Sequence, residues 1–162
     1  MANQAIMVYA ASATTCISSV VDIADAVNTY TGQTSVTTTA LDNSTDLYPM
    51  ARATLNLPDG WLTTAPNDGS SIDLYMTRNN VDGTSDELPV PASADLQGAT
   101  YVGSFAVSNQ TAGTEYRKSI NISIAGVDEA LFYIDNNTGQ TLDYVATAIT
   151  LKVLPWTYGP AA

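Results

Sequence analysis

The chain has 162 residues, of which 45% are hydrophobic and only 13% charged, and 16 acidic against five basic side chains give a net charge of −11. Five cations are too few for the Lys/Arg-rich surface that binds nucleic acid, and the same balance disfavours anionic membranes. Histidine is absent, so the commonest general base and metal ligand is missing. We therefore expect one domain that binds no nucleic acid or membrane and is not an enzyme.

The single cysteine, Cys16, excludes an internal disulfide. Residues 1–4 (MANQ) lack the basic and apolar regions of a signal peptide, and every apolar stretch is much shorter than a membrane span. We expect the protein to be made in a cytoplasm and, if it leaves the cell, to do so as part of a larger particle.

The first forty residues differ from the rest of the chain. Apolar residues at helical spacing predict a short helix over residues 17–27, although the pair Val20-Val21 fits a β-strand equally well. The Thr-rich segment at residues 34–41 (TSVTTTAL) predicts a strand or an extended arm, and segments of this kind readily add to a sheet edge. We treat residues 1–40 as an N-terminal arm or first elements that contact a neighbouring subunit.

From residue 41 onward the pattern predicts short strands separated by turns. Alternating apolar and polar residues predict strands over residues 48–57, 72–77, 100–108 and 116–124. Gly, Pro, Asn and Asp mark the turns between them, and residues 84–98 read as a long exposed loop. Residues 41–162 are therefore predicted to form an antiparallel, jelly-roll-like β-sandwich of about seven or eight strands.

The most regular pattern lies near the C-terminus and predicts a β-hairpin. Residues 131–135 are mostly apolar, and the next four, Asn136-Asn137-Thr138-Gly139, tolerate the backbone angles of a tight turn. The chain then alternates from Val145 to Val153, with branched residues on one face. We expect this second strand to pair with the first.

The acidic loop that follows the predicted strand at residues 72–77 offers a weak candidate for a metal site. Oxygen-bearing side chains stand at every second position from residue 80 to residue 86, and Glu87 follows them; the calcium candidates are Asn80, Asp82, Asp86 and Glu87. The glycine stands at the wrong position for an EF-hand, and Asp and Asn serve turns without binding metal. We favour a solvated acidic turn and predict no catalytic residue and no cofactor.

Three aromatic residues are candidates for partner binding. Trp156 and Tyr158 lie in the segment PWTYGP, which either folds back over the end of the sandwich or anchors a partner subunit. Trp61 follows Pro58-Asp59-Gly60 and either stacks on a sugar ring or is buried at the base of a loop.

Four blocks of the chain resemble a family of small structural proteins of tailed bacteriophages. They are LDNSTDLYPMARATLNL, SSIDLYMTRNNVDGTSDELP, YVGSFAVSN and FYIDNNTGQTLDYVATAITLKVLPWTYG, within residues 41–159. The shared features are a turn before a strand, a strand followed by DGT, and an NNTG turn with a Pro-aromatic end. These are structural rather than catalytic motifs.

The resemblance implies a non-enzymatic virion component with a jelly-roll-like sandwich. We therefore predict a capsid decoration or cement protein that binds the major capsid protein on the outer head surface in many copies, as a homo-oligomer. One alternative is a receptor- or carbohydrate-binding module of a phage fibre or tail, in which Trp61 stacks on sugar. A third hypothesis is a tail-tube or connector subunit.

Overall fold

The structure is a computed structural model that describes residues 5–29, 33, 35–79, 96, 98–108 and 110–160. These residues form ten strands, all paired antiparallel. In chain order the strands are β1 (Ala5–Tyr9), β2 (Thr14–Ser19), β3 (Val36–Thr38), β4 (Leu41–Asp42), β5 (Met50–Leu57), β6 (Ser71–Asn79), β7 (Thr100–Ala106), β8 (Tyr116–Ser123), β9 (Glu129–Asn137) and β10 (Ile149–Pro160). The prediction of an all-β antiparallel sandwich is confirmed, with more strands than the sequence indicated.

The strands divide into two sheets. The first has the order β3-β2-β10-β5-β8, and β1 also pairs with β10, beyond the end of β2. The second sheet has the order β4-β9-β6-β7. The long strand β10 therefore organises the first sheet, because it pairs with β1, β2 and β5.

The core lies between the two sheets and follows from the alternation within strands. In β5, Ala51, Ala53, Leu55 and Leu57 are fully buried, and the residues between them face outward. The second sheet contributes the matching inward rows of β6, β7 and β9, which include Ile72, Leu74, Phe105, Phe132 and Ile134. The predicted strands over β5, β6, β7 and β8 are thus confirmed.

The predicted C-terminal hairpin is wrong, although its turn is right. Gly139 has the expected positive φ of 75°. The following strand nevertheless joins the other sheet, because β9 pairs with β6 and β4 whereas β10 pairs with β5, β2 and β1. Regular strand begins only at Ile149, and Val145 is 47% exposed. Period-two alternation specifies which side of a strand is buried, but not which strand it pairs with.

A helix over residues 17–27 is also absent from the structure. Strand β2 runs to Ser19, with Cys16 and Ile17 in the core. The chain then turns and Ile23 forms two backbone hydrogen bonds with Leu142, while Ala26 takes a positive φ of 55° that no α-helix contains. Since β1, β2 and β3 belong to the first sheet, the described part of residues 1–40 is a component of the sandwich.

Two further predictions, the long loop and the calcium site, fall mostly or wholly outside the described residues. Most of the predicted loop at residues 84–98, with Asn80, Asp82, Asp86 and Glu87 of the candidate calcium site, lies outside them. Within the described ranges, no helix is long and apolar enough to cross a membrane.

Candidate functional site

The first candidate surface is the terminal ribbon, which we define as β1 together with residues 156–160 of β10. Tyr9 lies opposite Trp156, and the pairing runs outward to Ala5 opposite Pro160. The pairing of β10 with β5 ends at Trp156, opposite Met50. Beyond that point β10 has β1 as its one neighbour among the described strands, so the ribbon continues past the sandwich as two strands.

Apolar side chains are exposed on both faces of the terminal ribbon. Residues paired directly opposite each other point to the same face, which places Met7, Tyr9 and Tyr158 together and puts Ile6 and Val8 on the reverse. All five are exposed, and Tyr158 reaches 65%. Two-stranded ribbons are marginally stable in water, and contiguous exposed apolar surface is typical of interaction sites.

Trp156 lies at the base of the terminal ribbon and is almost fully buried. Its ring contacts the edge of the Tyr158 ring at a centroid distance of 5.0 Å. Its Nε1–H has no hydrogen-bond acceptor among the described residues. Of the two aromatic residues predicted to bind a partner, Tyr158 therefore presents the accessible surface and Trp156 supports it from below.

Arg52 connects the terminal ribbon to β5 of the first sheet through a hydrogen bond and a cation–π contact with Tyr9. Nη2 of Arg52 on β5 donates to the hydroxyl of Tyr9 at 2.7 Å, and the guanidinium carbon lies 5.2 Å from the centre of that ring. Tyr9 also donates a weak hydrogen bond to the sulfur of Met7 at 3.6 Å. The base of the ribbon is thus held in place, which reduces the conformational entropy lost when a partner binds.

The second candidate surface is the basic face, which we define as the outer face of the first sheet around Arg52, Arg117 and Lys152. These residues belong to three neighbouring strands, β5, β8 and β10, and together hold three of the five basic side chains of this acidic chain. They line a shallow depression of about 330 Å³ with neutral neighbours that include Thr54, Asn56, Thr150 and Leu154.

The outer face of the second sheet has the opposite charge. Asp73 on β6 lies directly opposite Asp135 on β9, and Asn137 donates to both carboxylates, at 3.3 and 2.9 Å. Burial raises the pKa of the neighbouring Tyr75, and the two carboxylates and Tyr101 raise it further. Asn137 and the hydroxyls of Ser71 and Ser104 offset the repulsion between the aspartates.

Trp61 is not available to stack on a sugar. Its side chain is completely buried, its Nε1–H donates to the carbonyl oxygen of Thr114 at 2.7 Å, and its ring lies 5.9 Å from that of Tyr116. The structure therefore corrects the sugar-stacking hypothesis, and the alternative of burial at the base of a loop describes the residue.

No cluster of three or more metal-ligating side chains occurs in the part of the chain that the structure describes. Sequence reasoning singled out Trp156 and Tyr158 of the terminal ribbon but missed their pairing with β1, and it missed the basic face. The uncharged apolar run at residues 5–9 (AIMVY) was the available indication of the terminal ribbon. The basic face gave no comparable pattern, because its three cations meet only through the pairing of β8, β5 and β10.

Comparison with known proteins assigns the chain to no family. No protein-family model matches it, and no curated protein is significantly similar. Among solved structures it is similar to "CBM35 from Cellvibrio japonicus Abf62", at 15% sequence identity and a TM-score of 0.41, over 98% of this chain and 99% of that one.

Proposed function

We propose that this protein is a non-enzymatic structural protein that assembles on a larger protein particle through its terminal ribbon. The exposed apolar ribbon is the observation that carries the proposal. A partner that covers Ile6, Val8 and Tyr158 removes apolar surface from water. Between 39% and 65% of each side chain is exposed, so covering it contributes a corresponding part of the about 1.5–3 kcal/mol that full burial of a large apolar side chain gives.

The edge of β1 supplies a second means of attachment. Natural edge strands are usually protected by charged residues, proline or a bulge, whereas β1 (AIMVY) contains neither charge nor proline. An extended segment of a partner can pair with the side of β1 that no described strand occupies, as in β-strand addition. This combination of an apolar face and an open edge fits a partner that is itself a protein.

In its finer form, the proposal is that the partner is the major capsid protein of a tailed bacteriophage and that copies of this chain decorate the outer head. The resemblance of residues 41–159 to phage structural proteins supports this choice, as does a surface of few charges. When copies are joined in a homo-oligomer, their contacts with one shell act together and strengthen attachment. A tail-tube or connector position would use the same ribbon in far fewer copies.

Binding to capsids tests the proposal. Capsids assembled without this protein are mixed with the wild type or with Val8→Lys, and the bound fraction is measured after sedimentation. We expect saturation at a copy number comparable to the coat protein, and loss of binding in Val8→Lys. The matched control is Val20→Lys, since Val20 is similarly exposed (44% against 39%) but lies outside the ribbon.

Two results would contradict the proposal. Equal binding by Val8→Lys and the wild type would remove the terminal ribbon from the interface. Binding of only a few copies per particle would place the protein at the neck or tail instead of on the head.

A further inference from the structure

We propose that the basic face is a binding site for an anionic polysaccharide, a chain of sugars that carry carboxylate or sulfate groups. The inference does not depend on the proposed assembly function: the two surfaces meet only where Arg52 contacts Tyr9, and the residue substituted in the test below, Arg117, lies on β8, away from the terminal ribbon. It starts from a contrast in charge: the chain carries −11 overall, yet three of its five cations surround one depression.

The strand register distributes the three cations evenly. Three successive outward rows cross β10, β5 and β8, and each row holds one cation on a different strand. The rows are Leu154–Arg52–Asn121, Lys152–Thr54–Ser119 and Thr150–Asn56–Arg117. Standard strand geometry separates the cation-bearing Cα atoms by about 8–14 Å. A ligand on this face therefore meets positive charge at several points along its length.

Hydrogen bonds to neighbouring side chains orient both arginines of the basic face, Arg52 and Arg117. Nε of Arg117 donates to Oδ1 of Asn56 at 2.9 Å, and Arg52 donates to the Tyr9 hydroxyl at 2.7 Å. Arg117 also pairs with Glu115 at 2.7 Å, but both side chains are about half exposed or more, so this pair contributes little and exchanges readily. Planar guanidinium groups match carboxylate and sulfate in charge and geometry.

The neutral polar side chains between the three cations favour a ligand that carries hydroxyl groups. The hydroxyls of Thr54 and Ser119 lie 2.8 Å apart, and Thr150 and Asn56 add further groups that both donate and accept hydrogen bonds. The ionised side chains of an acidic polypeptide offer only acceptors to these groups, whereas each ring of a sugar chain carries hydroxyls that both donate and accept beside its charge. The volume of about 330 Å³ is in the range of small-ligand sites.

The negative net charge does not prevent binding at physiological ionic strength. Charges farther apart than about 8 Å are largely screened there, so the three local cations determine the interaction. We therefore expect binding that weakens as salt increases.

The test is titration of the full chain with alginate, dextran sulfate and neutral dextran, followed by calorimetry at about 0.15 M salt. We expect alginate or dextran sulfate to bind, whichever anion the site prefers, and neutral dextran not to bind. Arg117→Gln weakens binding about tenfold, since a charge-assisted hydrogen bond is lost. The matched control is Lys118→Gln, which removes the same charge from the adjacent residue. Lys118 lies opposite the inward-facing Leu55, away from the basic face, and its loss changes binding less than twofold.

A second pair of measurements separates a saccharide from an acidic protein. Thr54→Val weakens alginate binding but leaves any binding of poly-L-glutamate unchanged. The proposal is overturned if neither anionic polysaccharide binds, or if Lys118→Gln weakens binding as much as Arg117→Gln. It is also overturned if poly-L-glutamate binds as well as alginate and Thr54→Val affects neither. Thermal melts of each variant confirm that it is folded.

Discussion

The two tryptophans lie in two regions that differ in how far their side chains are buried and bonded: the sandwich and the terminal ribbon. Trp61 lies in the interior of the sandwich, fully buried, with its N–H bonded to Thr114. Trp156 lies at the base of the terminal ribbon, buried to a similar degree but without an acceptor among the described residues, and beside the 65% exposed Tyr158. Trp61 is bonded and covered within the sandwich, whereas the terminal ribbon leaves apolar side chains such as Tyr158 exposed for a partner to cover. Substitutions in the sandwich should therefore affect folding, and those in the ribbon should affect association.

The largest effect is expected at Trp61. Trp61→Ala leaves a cavity beside Tyr116 and an unpaired carbonyl at Thr114, so the free energy of unfolding falls by about 3–5 kcal/mol. Urea denaturation followed by circular dichroism measures the change. Trp156→Phe serves as the comparison and removes an N–H that has no acceptor, so we expect little loss of stability. A larger loss in Trp156→Phe than in Trp61→Ala would reverse the proposed contrast between the regions.

The next effect is expected at Asn136, a buried amide near the end of β9. Its Nδ2 donates to the carbonyls of Ile23 and Gln140, and its Oδ1 accepts from the N–H and hydroxyl of Thr138. Asn136→Ala leaves these groups unpaired and lowers the free energy of unfolding by about 3 kcal/mol. The comparison is the neighbouring Asn137→Ala, which removes only exposed hydrogen bonds to Asp73 and Asp135 and should lower the free energy of unfolding less. Similar denaturation midpoints for the two variants would show that the buried network contributes nothing.

Asn136 also illustrates how far the sequence specifies this fold. The NNTG pattern correctly predicted a turn, and alternation correctly predicted the buried faces of β5 and β6, because both depend on residues close together in the chain. The function of Asn136 as a link to Ile23 depends on a contact across more than a hundred residues, which no local pattern encodes.

The same limit applies to the candidate surfaces. The aromatic tail was singled out as a partner-binding segment, but its pairing with β1 joins opposite ends of the chain and was not predicted. Trp61 was offered as a sugar-stacking residue because composition cannot distinguish a buried indole from an exposed one. The basic face arises from three separate strands, so it is a property of the register and not of any sequence segment.

A smaller effect on the sandwich is expected at alkaline pH. Burial raises the pKa of the Cys16 thiol from 9.0 to about 12 and that of Tyr116 from 10.0 to about 12. Between the unfolded and folded pKa values, the unfolded chain has lost protons that the folded chain keeps. Stability is therefore complete well below pH 9 and falls as pH rises, by about 2–3 kcal/mol up to about pH 10.5.

Urea midpoints measured across this pH range check the prediction. The decline should be shallower in Cys16→Ala, which removes one of the two groups. Stability that stays constant to about pH 11 would contradict it. Substitutions on the terminal ribbon, which contains neither group, should leave the pH profile unchanged.

The smallest effect on global stability is expected in the terminal ribbon itself. A Cβ atom added at Gly159 would lie 2.8 Å from Cγ2 of Val8, so Gly159→Ala forces β1 and the end of β10 to shift. We expect the free energy of unfolding to change by less than about 0.5 kcal/mol, while amide protons of β1 exchange faster. Adding Val8→Ala removes the obstructing methyl group and should restore slow exchange. Unchanged exchange in Gly159→Ala would mean that the two strands are not packed as described.

The pairing of β10 with β1, β2 and β5 also constrains how the protein folds. These contacts connect residues near positions 5 to 19 with residues 149–160, so the first sheet cannot form until β10 has left the ribosome. Folds dominated by such distant contacts reach the native state in milliseconds to seconds. During that interval β1 has no intramolecular partner and remains exposed, so its uncharged edge is open to misassociation between nascent chains.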